Sequence, residues 1–311
     1  MEEVIDKVKE LTTKLDKGVE EILKSDRYIA YLKQMSKFHN YSFRNSLLIL
    51  LQNENATYVA GFKTWQKQFN RNVNKGEKGI TILAPCPYKI KKEIETINEK
   101  GEKEKREEEI IIPKFRAVTV FDVSQTSGEP LKEIAKELTG EVKDYNKLFE
   151  AIKKCSEYEI NFKADIQAKG YCATKEKEIV IKEGMSETQT IKTLIHEISH
   201  EKLHSKDDRK TLSNQREIEA ESVAFVVSNY FGIDTSSYSF DYISSWQEKD
   251  KSEVKDSLNI IQETSNMLIE KIKSNLEIQK EISIEDRIKV AQEKSTKTKT
   301  TKKSKNKNIT L

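Results

Sequence analysis

Between Ser186 and His204 the spacing of residue types predicts a helix. Ile191, Leu194, Ile195 and Ile198 recur at i, i+3, i+4 and i+7, which puts them on one helical face. His196, His200 and His204 recur every fourth residue on the other side, so three of the chain's four histidines stand one turn apart. Ser186 followed by Gln189 reads as a capping box that starts the helix. Such a helix needs an apolar partner on one side and something that uses imidazoles on the other.

A metal ion is what imidazoles at this spacing can share. His196-Glu197-Ile198-Ser199-His200 is an HExxH pattern, in which residues four apart reach one ion and the glutamate beside them polarises a water. Two nitrogens and a carboxylate suit Zn2+, with Mn2+ as the alternative, and leave one position open. His196 and His200 are therefore the expected ligands. Metal-bound water is the expected nucleophile and Glu197 the general base. Leu203 and Lys206 stand where a metzincin needs glycine and histidine, which excludes that class. The third ligand must come from elsewhere, and REIEAESVAF downstream offers Glu217, Glu219 and Glu221. Glu217 and Glu221 share a face, so Glu217 is expected as ligand and Glu221 as acceptor for a histidine N–H behind the metal. Glu219 points roughly 160° away and reads as a solvated carboxylate. His204 is expected behind the ligands, because a fourth protein ligand would close the open position. Tyr171 and Tyr242 are weaker candidates for an oxyanion donor. Lys177 to Ile181 is expected to form an edge strand with which an extended peptide pairs. Together these residues point to peptide-bond hydrolysis.

The rest of the chain reads as an α+β protein: a helical and antiparallel-strand domain over 1–126, the HExxH domain over 127–250, an amphipathic helical extension over 251–290 and a disordered lysine-rich tail over 291–311. Residues 1–55 carry apolar residues at helical spacing. A short helix is expected between Phe62 and Asn72 with Thr64 as its N-cap. ITILAPC and KFRAVTVFDV are expected to pair as antiparallel strands around residues 89–109, which are almost solid charge and read as a loop or long hairpin tip. A helix over 255–280 is expected to turn Leu258, Ile261, Met267, Leu268 and Ile272 inward.

Net charge is only +3, so nucleic-acid affinity would have to come from local clusters. Lys63, Lys67 and Arg71 at helical spacing, with Lys75 and Lys78 around a glycine turn, form one such cluster. Phe62, Trp65 and Phe69 interleave with it, as base-stacking partners or simply as core. The charged N-terminus is unlike a signal peptide and no apolar run is long enough to span a bilayer, so no membrane partner is expected and the cytoplasm is the expected location. The three scattered cysteines fit reduced thiols there.

HEISHEKLH followed by EIEAESVAF resembles the ImmA/IrrE-type zincin-like metallopeptidases, and the first glutamate of that family's second helix falls on Glu217. Where the family often has asparagine or aspartate, this chain has Glu221. YSFRNSLLILLQNENATYVAGFKTWQKQFNRNVNKGEKG and VFDVSQT resemble the N-terminal domain of ArdC-like antirestriction proteins, and DTSSYSFDYISSW resembles the segment after the peptidase helix in them. The resemblance implies single-stranded DNA binding by the first domain, a setting in conjugative elements, and shielding of incoming DNA from restriction. Two rivals stand beside it: a regulatory metalloprotease that cleaves one repressor protein, and a non-enzymatic DNA-binding protein with a structural metal.

Overall fold

The computed structural model describes residues 2–97, 103–131, 145–205, 213–235, 238 and 240–277. It begins with three helices, α1 (Glu2–Ile22), α2 (Ser25–Lys37) and α3 (Phe43–Gln52). Strand β1 (Val59–Gly61) and helix α4 (Phe62–Gln68) come next, then β2 (Arg71–Val73), β3 (Ile80–Pro85), β4 (Tyr88–Ile97), β5 (Lys103–Ile112), β6 (Phe115–Asp122) and β7 (Thr126–Gly128). The second half runs α5 (Tyr145–Lys153), β8 (Glu159–Lys163), β9 (Gly170–Ala173), β10 (Glu178–Lys182), α6 (Glu187–His204) and α7 (Ser213–Tyr230). A 3-10 helix at Asp241–Glu248 leads into α8, over residues 251–277. Helices and sheets are mixed in both halves, as the α+β reading requires. Among the described residues no helix is long and apolar enough to cross a membrane.

The expected antiparallel pair is present: β3 and β6 run together from Ile80↔Val120 to Pro85↔Phe115, with β1 on the other side of β6. Helix α3 covers the outer edge of β3. Asn45 donates to the Leu83 carbonyl and accepts from its N–H, both at 2.9 Å, and Gln52 makes the same pair of bonds with Thr81. These amides occupy backbone groups that would otherwise invite another strand. The charged segment is a hairpin of β4 and β5, in register from Tyr88↔Ile112 to Ile97↔Lys103; its tip lies outside the described residues. Ion pairs Lys89–Glu109 and Lys91–Glu107 cross it, and both are solvent-exposed.

Short elements escape a reading of the sequence because they lack period. Helix α4 is capped by Gly61 rather than Thr64 and ends at Gln68, so Arg71 begins a strand instead of extending a helical face. In the second half, β8 and β9 flank β10 in the order β8-β10-β9, with β10 parallel to β8 and antiparallel to β9. The expected edge strand at Lys177–Ile181 is therefore the centre of its sheet, consistent with the burial of Ile179, Val180 and Ile181, and β8 and β9 are the two edges, β9 being the one against α6.

One apolar core runs through both halves, from Leu11, Leu15, Val19 and Ile22 of α1 to Leu194, Ile195 and Ile198 of α6 and Val223 to Val227 of α7. Tyr28 of α2 meets Ser222 of α7 at 2.8 Å inside it. Helix α8 buries Leu258, Ile261, Leu268 and Ile272 as expected, but Met267 is 41% exposed and Ile269 takes its inward place. Residues 278–290 of the expected extension and the lysine-rich tail lie outside the described residues.

Candidate metal centre

Helices α6 and α7 pack against each other and set the site between them. Ser186 caps α6, its hydroxyl accepting from the Gln189 N–H at 3.3 Å. The Gln189 side chain reaches Thr193 instead of closing the capping box. The apolar face of α6 is buried as its spacing requires, which turns His196 and His200 towards α7.

His196 Nε2 and His200 Nε2 lie 3.1 Å apart. Glu217 Oε2 is 3.4 Å from the first and Glu217 Oε1 is 3.5 Å from the second. These three residues form a group able to hold a metal ion. Ligand atoms about 2.0–2.2 Å from a tetrahedral ion stand roughly 3.3–3.6 Å from one another, so both Glu217 separations fit a single small cation, and the two ring nitrogens, at 3.1 Å, stand slightly closer. Two imidazole nitrogens and a carboxylate are a donor set for a borderline divalent metal.

The electrostatics favour positive charge at this point. Burial opposes protonation of His196, but the carboxylates of Glu217, Glu221 and Glu197 around the ring outweigh it and lift the ring to about 10. Glu217 is pushed well below the usual carboxylate range, first by its hydrogen bonds to His196 and His200. Burial raises Glu197 against the pull of His196 and His200, which moves its carboxylate towards the range useful for a base at neutral pH.

Glu221 Oε2 sits 2.9 Å from His196 Nδ1, on the expected side of the ring but out of line with the N–H. His204 Nδ1 lies 3.0 Å from His200 Nδ1, behind the cluster. Glu219 corrects the reading of a solvated carboxylate. It is fully buried, with Oε2 at 3.2 Å from His204 Nε2 and Oε1 accepting the Ser257 hydroxyl at 2.6 Å. It does point away from the metal, as its place in the helix requires, but that side of α7 faces α8, not water.

A cavity of about 290 Å³ opens beside the cluster, lined by Lys169, Gly170, Lys192, His196, Glu197 and Tyr238 among others. Gly170 brings the edge strand β9 against α6: a Cβ there would stand 2.7 Å from Thr193 Cγ2, 2.9 Å from the Val180 carbonyl and 3.2 Å from Glu197 Oε1. Lys192, one turn before His196, places its ammonium 4.8 Å from the Tyr238 ring. Sequence reasoning misses Lys192, Gly170 and Tyr238. Lys192 stands four residues before His196, which is the signal that could have found it. Tyr171 is not an oxyanion donor here, because it is exposed on the sheet and its hydroxyl faces Lys163. The Tyr242 side chain lies outside the described residues.

The cationic cluster near α4 is only partly assembled. Lys63, Lys67, Lys75 and Lys78 are exposed. Arg71 is not available: its guanidinium donates to the Thr126 hydroxyl and to the carbonyls of Thr126, Gly128 and Glu129. Trp65 is fully buried and donates to the Phe121 carbonyl at 2.9 Å, so it is core rather than a stacking platform. Phe62 is 48% exposed on the same helix.

Residues 1–121 match the family model of the N-terminal domain of anti-restriction factor ArdC. Residues 160–239 match the M78 peptidase family model, described as an IrrE N-terminal-like domain. The uncharacterized protein pXO2-81 of Bacillus anthracis is 29% identical over 327 residues, an alignment that covers 90% of this chain and 52% of that protein. The chain thus spans about half the length of the curated relative it matches. Similar solved structures are the metal-free and Mn(II)-bound crystal structures of the antirestriction ArdC protein from the R388 plasmid, with TM-scores of 0.46 and 0.45 and identities of 20% and 18%. Each covers 75% of this chain and 84% of that one.

Proposed function

From a chain that joins an ArdC-type N-terminal domain to an IrrE-like domain, we propose an antirestriction protein of a mobile element, which binds single-stranded DNA through its first half and carries a zinc-dependent peptidase site in its second. The observation that carries the peptidase half is the convergence of His196 Nε2, His200 Nε2 and the Glu217 carboxylate beside Glu197 and an open strand edge. A divalent ion held there supplies Lewis acidity and lowers the pKa of water to about 7. Glu197 takes a proton from the attacking water and passes it to the leaving nitrogen. Among the described residues the outer edge of β9 carries no strand partner, so an extended substrate can pair with it and lie across the cavity. Gly170 keeps that approach open, and Lys192 adds positive charge to the cavity wall.

For the DNA half, Lys63, Lys67, Lys75 and Lys78 contact phosphates and Phe62 offers an exposed ring to a base. The affinity is therefore salt-dependent. Each lysine that meets a phosphate contributes roughly 0.7 to the slope of log K against log salt for a single strand, so changing Lys63 and Lys67 together to alanine should flatten it by about 1.4. Titrating a fluorescent oligonucleotide at several salt concentrations measures this, and an unchanged slope would remove α4 from the DNA surface.

The function is tested by transferring an unmodified plasmid strand into a restricting host with wild-type protein, the lysine variant and Glu197→Gln. Protection lost in the lysine variant supports DNA shielding. Protection that survives Glu197→Gln leaves the metal a structural role. A cellular protein that accumulates on Glu197→Gln, with DNA affinity absent from the wild type, favours repressor cleavage instead.

A further inference from the structure

We propose that Glu219 is a positioning residue, which fixes the orientation and proton placement of His200 through His204. The proposal rests on the metal reading of the site and extends it by two side chains. Four contacts make up the chain: His200 Nδ1 to His204 Nδ1 at 3.0 Å, His204 Nε2 to Glu219 Oε2 at 3.2 Å, and Glu219 Oε1 accepting from Ser257 at 2.6 Å and from Gln215 Nε2 at 3.3 Å.

When His200 offers Nε2 to an ion, its proton must be on Nδ1. Nδ1 then donates to His204, whose own Nδ1 must be bare. The His204 proton is left on Nε2, where it points at Glu219. Glu219 accepts there as a carboxylate, and its other oxygen accepts from Ser257 and Gln215. This proton arrangement satisfies every contact with His200 as a ligand. A histidine ligand ordinarily passes its second N–H directly to a carboxylate or carbonyl. Here a second histidine is interposed, and the carboxylate at the end is fully buried and tied to α8, an element beyond the IrrE-like match.

The relay predicts that Glu219→Ala, in the full chain, weakens Zn2+ binding by roughly 10- to 100-fold while the fold persists. Glu219→Gln, which can still accept from His204, should recover most of that loss. The measurement is competition for Zn2+ against a chromophoric chelator, paired with nitrogen NMR of the imidazoles. Zn2+-loaded wild type should show His204 protonated on Nε2 and bare on Nδ1, and in Glu219→Ala that preference should relax to a mixture. His204→Phe keeps the ring volume, removes both nitrogens and should weaken Zn2+ to the same extent, which keeps the test alive if Glu219→Ala does not fold. Unchanged affinity in the folded variants, or His204 protonated on Nδ1 in the loaded protein, overturns the relay alone. A wild type that takes up no Zn2+ or Mn2+ overturns the metal reading with it.

Discussion

Purified from medium containing zinc, the protein is expected to carry one divalent ion per chain, and His196→Ala and Glu217→Ala are each expected to lose it. A complete four-ligand zinc site is worth about 10–16 kcal/mol, so one ligand contributes about 2.5–4 kcal/mol, or roughly a hundred- to a thousandfold in affinity. Glu217 is the sharper test, because its side chain is 60% exposed while the two rings are 20% and 16% exposed. A surface glutamate can be removed with little cost to the fold, so metal lost from Glu217→Ala is lost for want of a ligand. Glu197→Gln should keep its ion, since Glu197 is not among the converging atoms. Uptake also displaces the proton that the surrounding carboxylates hold on His196, whose pKa is lifted to about 10. Below that value proton and metal compete, so apparent affinity falls as pH falls, by about tenfold per unit for each proton displaced. Elemental analysis of the three variants gives the stoichiometry, and calorimetry in buffers of different ionisation enthalpy counts the protons. An ion retained by Glu217→Ala at wild-type affinity would remove Glu217 from the centre.

Periodicity accounts for the parts of the molecule that were legible in the residue order. Helix α6 was legible because apolar residues at i, i+3, i+4 and i+7 leave no other way to hide them, and the histidines of the candidate centre ride on the opposite side of the same pattern. The pair β3 and β6 was legible for the same reason, being β-branched and flanked by turns. The parts that were not legible depend on a third element arriving. Glu219 looks like a surface residue until α8 covers it, and Arg71 looks like a free cation until β7 supplies the carbonyls that take its guanidinium. Strand β8 does alternate, Ile160 and Phe162 against polar neighbours, but over only five residues that lie largely exposed, and the four-residue β9 is shaped by its approach to α6 at Gly170. VFDVSQT, which marks the resemblance of the first half, is structural in its physics. The buried Asp122 accepts from the backbone of Thr57, Tyr58 and Ser124, and Gln125 ties down the turn at Lys78. That motif therefore reports the fold of the first half and says nothing about which surface meets DNA.

A chain ending at residue 250 is expected not to fold, although it contains both family-matched segments. Helix α8 supplies Val254, Leu258, Ile261, Leu268, Ile269 and Ile272, six side chains that are all at most 2% exposed. Burying an aliphatic side chain is worth about 1.5–3 kcal/mol, so the helix contributes on the order of 9–18 kcal/mol before the entropy of ordering it is set against that. Total stability of a domain is about 5–15 kcal/mol. The polar contacts of α8 reach both halves of the molecule. Lys255 pairs with Asp16 of α1, and Gln262 donates to the His39 carbonyl and accepts from Ser46 of α3. Asn275 donates to the Ala151 carbonyl of α5, and Ser257 donates to Glu219 of α7. Removing the helix exposes the core between the halves and leaves the Glu219 carboxylate without its closest hydroxyl donor. Two point substitutions in the full chain separate this from a general intolerance of change. Leu258→Ala should cost about 2–5 kcal/mol by the cavity it leaves, whereas Met267→Ala, on the exposed side of the same helix, should cost well under about 1 kcal/mol. Urea unfolding of both variants, with hydrophobic-dye binding by the truncated chain, measures the difference. A chain cut at 250 that unfolds cooperatively at the wild-type midpoint would mean that α8 is an appendage and that the two halves close their core without it.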